Sequence, residues 1–408
     1  MTASIFAAEN GARVTLIERN EKLGKKLYIT GKGRCNLTNM ADMESYQANI
    51  IHGGRFLRSS LSTFDAQAVR AWFDSLGLPT IEERGGRVFP ASGKASDVTK
   101  TLTRSMSNCN VNILLNSRVT FIDITDRRTY GITLEDGGHT DCHAIILATG
   151  GMSYPATGST GDGYRLARLI GHTIVAPRPA LTPLLSDAEW ARSLQGLSLR
   201  NVTLEVKHDG KCIMNEMGEM LFTHFGISGP LALTLSSRIP DEPFAFKRLT
   251  VTIDLKPALT IEQIDFRLQR EFSENSRKQL NTVLCSMLPS RLAGLFPNLC
   301  GIDPKRMPCT ISRAERAEIS QRMKSLPMPI TGLAGFEDAV ITRGGVNLNE
   351  INPKTMESKL VGGLYFAGEI IDADALTGGF NLQIAIATGA KAGKAAANMH
   401  LSALGLGE

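Results

Sequence analysis

The chain has 408 residues, a formal net charge of +5, 42% hydrophobic residues and 21% charged ones. These values suit a soluble globular protein with room for two or three domains, and exclude a largely disordered or coiled-coil chain. The charge is too mild to imply nucleic acid, the aromatics do not interleave with a basic stretch, and no apolar run reaches the length of a membrane span, so neither partner is expected.

In chain order, Ile5–Asn10 reads as the end of a helix, Gly11 as its C-cap and Arg13–Ile17 as a buried strand closed by Glu18. Glu21–Asn39 reads as an extended functional loop, Asp65–Leu76 as a helix and Glu83–Ser96 as a turn-rich stretch. Asp97 is placed as the N-cap of a helix running to Asn108. Val111–Leu115, Val119–Ile124, Tyr130–Leu134 and His139–His143 alternate and form an expected meander, which leads into the apolar strand Ala144–Ala148. Short strands are predicted from Ser186 to Leu255. Capping boxes at Thr260 with Gln263 and at Ser312 with Glu315 then announce helices. A Pro-rich seam at Leu326–Gly332 precedes a strand at Gly363–Ala367 and a Gly/Ala-rich helix at Asn381–Asn398. The 7 cysteines contain no C-x-x-C pair, which favours a reducing compartment, with the cytoplasm as the expected location, and gives no metal site.

Four constellations carry chemistry. Glu18 at a strand's end suits the ribose hydroxyls of a dinucleotide, yet the G-x-G-x-x-G loop that lies about 20 residues upstream of such an acid is absent. Beside it, Lys22, Lys25, Lys26, Lys32 and Arg34 alternate with Gly24, Gly31 and Gly33, a pattern suited to a diphosphate or an anionic substrate; Cys35 reads as a small buried thiol. Thr149-Gly150-Gly151, followed by Tyr154 and the glycines of Thr157–Gly163, implies a close approach of backbone to ligand. The last unit joins a strand ending in Gly368-Glu369 to Gly378-Gly379 at the start of a helix, whose N–H groups suit an electron-rich acceptor. In Phe222–Pro230, Ser228 is expected to N-cap a helix, with His224 in a loop at its positive end as an acid, base or anion binder.

Together these segments resemble a bacterial flavoprotein family labelled NAD(P)/FAD-dependent oxidoreductase, with aminoacetone oxidase-like and BaiN-like as narrower names. The resemblance rests on VTLIERNEKLGKKLYITGKGRCNLTN, ATGGMSYPATGSTGDGY, GEMLFTHFGISGP and the final GE…TGGFNLQIA block. It implies an α/β fold: a two-dinucleotide-type, Rossmann-like FAD-binding domain (1–185 and 341–408), interrupted by a β-barrel-like domain (186–257 and 310–340) carrying a helical subdomain (258–309). It further implies that Glu18, Lys25, Lys26, Gly31, Gly33, Arg34, Cys35, Asn36, Val119, Thr149, Gly150, Gly151, Gly368, Glu369, Gly379, Phe380, Asn381 and Gln383 contact FAD. His224 and Tyr154 would face a small-molecule substrate. The implied reaction moves a hydride between a small organic substrate and flavin N5; oxidation of an amine with O₂ as acceptor and reduction of a conjugated enone with NAD(P)H as a transient donor are both compatible with the resemblance. Members of the family begin with a strand and GGGxAG, so Met1 is expected to be an internal methionine of a longer chain. Were it the true start, weak FAD retention would follow, and the rival expectation is a non-catalytic nucleotide-binding protein. A nucleic-acid-modifying flavoprotein would instead bind RNA in a strongly salt-dependent way.

Overall fold

The computed structural model describes residues 1–240, 242 and 245–403. The chain divides into two compact units, Met1–Ala180 with Gly335–Glu408, and Leu181–Ala334. The expected divisions at 185/186 and 340/341 fall a few residues later.

In the first unit, helix α1 (Thr2–Glu9) buries Ile5 and Phe6 and stops at Gly11, whose N–H donates to the Ala8 carbonyl. Strand β1 (Thr15–Ile17) follows. The segment expected to be an extended loop contains helix α2 (Lys25–Ile29), because Lys-Lys-Leu-Tyr-Ile are adequate helix formers once the left-handed Gly24 sets the start. After a short helix at Met43–Asn49 and a strand at Ile50–His52 come helices α3 (Gly54–Thr63) and α4 (Ala66–Ser75); Asp65 caps α4 by accepting from the Ala68 N–H. The turn-rich stretch is partly a hairpin, Thr80–Glu83 with Arg87–Pro90, turning at the left-handed Gly85 and Gly86. Helix α5 (Ala95–Asn108) starts two residues before Asp97, which therefore sits in the first turn, where its charge faces the helix dipole, and is not the N-cap.

Strand β2 (Asn112–Leu114) does not join the meander. It pairs parallel with β1, Thr15 opposite Asn112, since a short apolar run carries no mark of its partner. The meander is Val119–Thr125, Arg128–Leu134 and His139–Asp141. Strand β3 (Ile145–Leu147) follows, then β4 (Ile341–Val346), antiparallel to Ile174–Ala180. Strand β5 (Leu364–Phe366) runs parallel to β3, and helix α6 (Phe380–Ala403) is the last element among the described residues. β1 was expected to be buried; Thr15 is exposed and Leu16 and Ile17 half-buried, because only one hydrogen-bonded neighbour covers it among the described residues. The small residues of α6 admit α1 at close range: a Cβ on Gly393 would run into the Ala3 carbonyl.

The second unit is built on a seven-stranded antiparallel sheet in the order Leu326–Pro327, Leu249–Asp254, Ser198–His208, Lys211–Thr223, Gly226–Ser228, Leu184–Leu185, Gly332–Leu333. Both capping boxes form as read: Thr260 opens Ile261–Glu274 and Ser312 opens Arg313–Lys324. Leu268, Leu284 and Phe296 of the helical segment share one apolar core with Leu204 and Phe222 of the sheet.

Candidate cofactor and active site

Strands β3 and β5 lie side by side with the same direction, so the turns at Ala148–Gly151 and Gly368–Ile370 leave the sheet at one carboxyl end, where open α/β sheets hold ligands. Gly150 and Gly368 have φ of +74° and +75°, conformations that resist a side chain. Gly151 packs so tightly that a Cβ there would collide with Thr342 of β4.

The Glu369 carboxylate gathers these turns. It accepts from Lys26 Nζ at 2.6 Å, from Ser153 Oγ at 2.9 Å and from the Thr342 N–H at 2.7 Å. Lys26 also donates to Ser153 Oγ at 2.6 Å, and Thr342 Oγ1 accepts the N–H groups of Met152 and Ser153. The lysine and glutamate side chains are 24% and 20% exposed, so the pair sits mostly out of water and its bonds are charge-assisted. Ser153 and Thr342 were not expected. Ser153 lies two residues past the Gly-Gly signal, and Thr342 had no signal beyond the following Gly344-Gly345.

A second cluster lies around Glu18. Its Oε1 accepts from the Asn20 N–H and Nδ2, at 2.9 and 2.8 Å, and Asn20 Nδ2 also reaches the Thr157 carbonyl. Glu18 is thereby tied to the Thr157–Gly163 loop. Next to Val119, Arg118 forms a bidentate bond to Asp162, which also takes Arg19. The Arg118 guanidinium, then, despite some burial, Arg19 and Arg165, hold the Asp162 carboxyl below its usual range.

The third cluster is at the start of α6. Gly31, Lys32, Gly33 and Cys35 all have positive φ, so this short stretch turns repeatedly through the left-handed region, where Lys32 and Cys35 are strained. Cys35 is fully buried and burial pushes its thiol up to about 11, which makes it inert at neutral pH. Asn36 Oδ1 is buried without a hydrogen-bond partner, and it lies beside Gly379. The first N–H groups of α6 have no partner within the helix. Asn381 instead braces the preceding loop, exchanging hydrogen bonds with Ala375, and Gln383 bridges Thr38 Oγ1 and the Phe64 carbonyl. Phe380 packs edge-on to Tyr46.

The cations do not form one patch. Lys25 pairs with Glu21, Arg34 takes Glu83 while lying over Phe89, Lys22 lies over Tyr28, and Lys32 is exposed. Thr149 faces Gly163. Tyr154 is half-buried in the left-handed region, and burial, with Asp338 adding to it, raises its phenol. His224 belongs to the second unit, exposed on a two-residue hairpin turn beside Phe225. Ser228 is in a strand and does not cap; Gly229 precedes the helix Pro230–Arg238, because Ser228 is held by pairing with Leu221. No group of three or more His, Cys, Asp or Glu among the described residues is placed to hold a metal ion, and no described helix is long and apolar enough to cross a membrane.

An unpaired amide oxygen beside the N-terminus of α6, whose first N–H groups have no partner within the helix, and an acid at the end of β1 are the features of a dinucleotide cradle, and FAD fits them. This is a flavoprotein, a FAD-dependent oxidoreductase on a Rossmann-like α/β scaffold. Residues 1–395 match the family described as HI0933-like protein Rossmann domain, and the chain belongs to that family. Among its relatives, the 3-dehydro-bile acid delta(4,6)-reductase of Clostridium scindens is 31% identical over 402 residues, 97% of this chain and 96% of that one. The ribosomal RNA dihydrouridine synthase of Escherichia coli is 30% identical over 94% of this chain and 92% of its own. A solved 3-ketosteroid delta1-dehydrogenase from Sterolibacterium denitrificans is similar with a TM-score of 0.48 and 12% identity, over 97% of each chain.

Proposed function

We propose that the protein reduces a carbon–carbon double bond conjugated to a carbonyl, with NAD(P)H as electron donor. The observation that carries the reading is the buried Asn36 Oδ1, which has no hydrogen-bond partner and lies beside Gly379 at the start of α6, close to the Lys32–Cys35 turns. The names of the two relatives support the enone arm over amine oxidation. A delta(4,6)-dienone and the uracil ring both present an alkene conjugated to a carbonyl, and each named reaction adds two hydrogens across it. RNA therefore enters this reading as a second bearer of such a ring, although composition gives no sign of it.

When bound, FAD supplies the hydride for the β carbon of the alkene. Glu18 would take the adenosine ribose, with Val119 beside the adenine. Lys25, Lys26, Gly31, Gly33, Arg34, Cys35, Thr149, Gly150, Gly151, Gly368 and Glu369 would line the middle of the cofactor, and Asn36 with Gly379, Phe380, Asn381 and Gln383 the polar edge of its ring. Tyr154 holds at its phenolic oxygen the proton for the α carbon; its raised pKa keeps that proton in place at neutral pH. His224 is the second candidate for this proton. In this reading the second unit is an inserted substrate module, barrel-like with a helical part, working in the cytoplasm on a small molecule or a base.

The test uses FAD-loaded protein without oxygen. NADPH should bleach the flavin, and a 4-en-3-one steroid or a uridine-containing RNA should restore its colour. Tyr154→Phe should slow that return by roughly 100-fold. Bleaching by an aliphatic amine, with no return on adding any conjugated carbonyl, would overturn the proposal.

A further inference from the structure

A groove of about 780 Å³ runs along the outer face of α6 in the first unit, floored by Ala387, Ala390 and Tyr365. Arg128, Lys354, Lys391 and Lys394 line it from three separate parts of the chain, Lys394 Nζ also lying 5.2 Å from the Phe6 ring centroid, against one carboxylate, Glu357, whose Oε1 already accepts from the Gly363 N–H. None of these four cations forms an ion pair among the described residues, whereas Arg19, Lys26, Arg34, Arg118 and Arg343 in the same unit all do. Lys391 is fixed in place, donating to the Ser59 carbonyl and Oγ at 3.0 and 2.8 Å. Like charges brought together around one concave volume repel each other and raise its positive potential, unless an anion occupies it.

We infer that the groove is a second ligand site, for a phosphorylated small molecule of nucleotide size. A volume in this range holds such a ligand, the alanine floor and Phe64 suit a flat apolar body, and a multiply charged phosphate answers the cations. Lys391 and Lys394 lie roughly 12–17 Å further along the helix axis than Gln383, by the rise per residue, so this site is not the FAD cradle. The negative end of the α6 dipole does not oppose it, because that field fades within the last turn and Lys394 precedes that turn.

The test is titration of the FAD-saturated protein with ADP and with inorganic pyrophosphate, followed by calorimetry and by flavin fluorescence. ADP should bind without releasing FAD. Lys354→Ala with Lys394→Ala should weaken it at least about tenfold, while Lys354→Arg with Lys394→Arg should restore it. Unchanged ADP affinity in the alanine pair, release of FAD on adding ADP, no ADP binding, or binding of polyuridylate alone would each overturn the inference. If the chain takes up no FAD, the proposed reaction fails, yet the alanine pair still decides this site.

Discussion

The Lys26–Glu369 pair offers a measurement of how firmly the cofactor end is preassembled. Consider Lys26→Met and Glu369→Gln, singly and together, in a Trp190→Phe background that leaves Trp72 as the single indole reporting on the first unit. Trp72 contacts Phe6, Phe64 and Phe73, so its fluorescence follows loss of that core. Breaking a buried ion pair costs about 3–5 kcal/mol and an exposed one about 0–1 kcal/mol. With side chains 24% and 20% exposed, and Glutamine still able to accept from Ser153 and Thr342, each single change should cost about 2 kcal/mol. The double variant should lose little more than either, giving a coupling of about 2 kcal/mol in urea unfolding. Additive losses, with a coupling below about 0.5 kcal/mol, would show that solvent already screens the pair and that it does not organise the two turns.

Three further outcomes are expected. Cys35 titrates at about 11 when folded because it is buried, against about 8.5 in an unfolded chain, so the folded state holds the proton more tightly. Its contribution is therefore intact below pH 8.5 and declines by about 3 kcal/mol as pH rises towards 11; Cys35→Ala should flatten this part of the stability profile, and an unchanged slope would contradict the assignment. Arg306, then the Ser312 cap, hold Glu315 down to about 2, so its contribution is present above the ordinary glutamate range and is lost as pH falls through 2. Glu315→Gln should remove that acid-side slope, read from Trp190 in a Trp72→Phe background. Gly379 has φ of +104° and a Cβ would strike the Thr38 carbonyl, so Gly379→Ala should abolish flavin uptake, measured as visible absorbance per protein after reconstitution; full uptake would show that the cradle lies elsewhere.

Features coded by a few adjacent residues were legible in the sequence. The two capping boxes and the glycine turns after β3 and β5 need only local chemistry, and each occurs where the residues say it should. What depends on distant partners was not. The parallel pairing of β2 with β1, the Asp162 bridge to Arg118 and Arg19, and the role of Thr342 all join segments whose sequences carry no mark of each other. Local patterns also misled where two readings compete. Ser228 is a good cap by type, but strand pairing claims it, and the glycines around Lys25–Ile29 concealed a helix. The side chains of Asn381 and Gln383, read from the sequence as cofactor contacts, bond to the protein's own Ala375 and Phe64 carbonyls, and Asn36 Oδ1 is the buried polar atom left without a partner there.

The pairing of β3 with β5 also sets a timetable for synthesis. Among the described residues β3 has β5 as its hydrogen-bonded neighbour, and that strand leaves the ribosome roughly 200 residues later, after the whole second unit. At about 5–20 residues per second, β3 and the Gly150-Gly151 turn wait roughly 10–40 s with one apolar edge uncovered. The second unit, continuous in sequence and closed around its own core, can fold during that interval. The nascent chain thus passes through a stage in which the later-made unit is finished and the earlier-made one is not, and it is then that a holding chaperone would find its substrate.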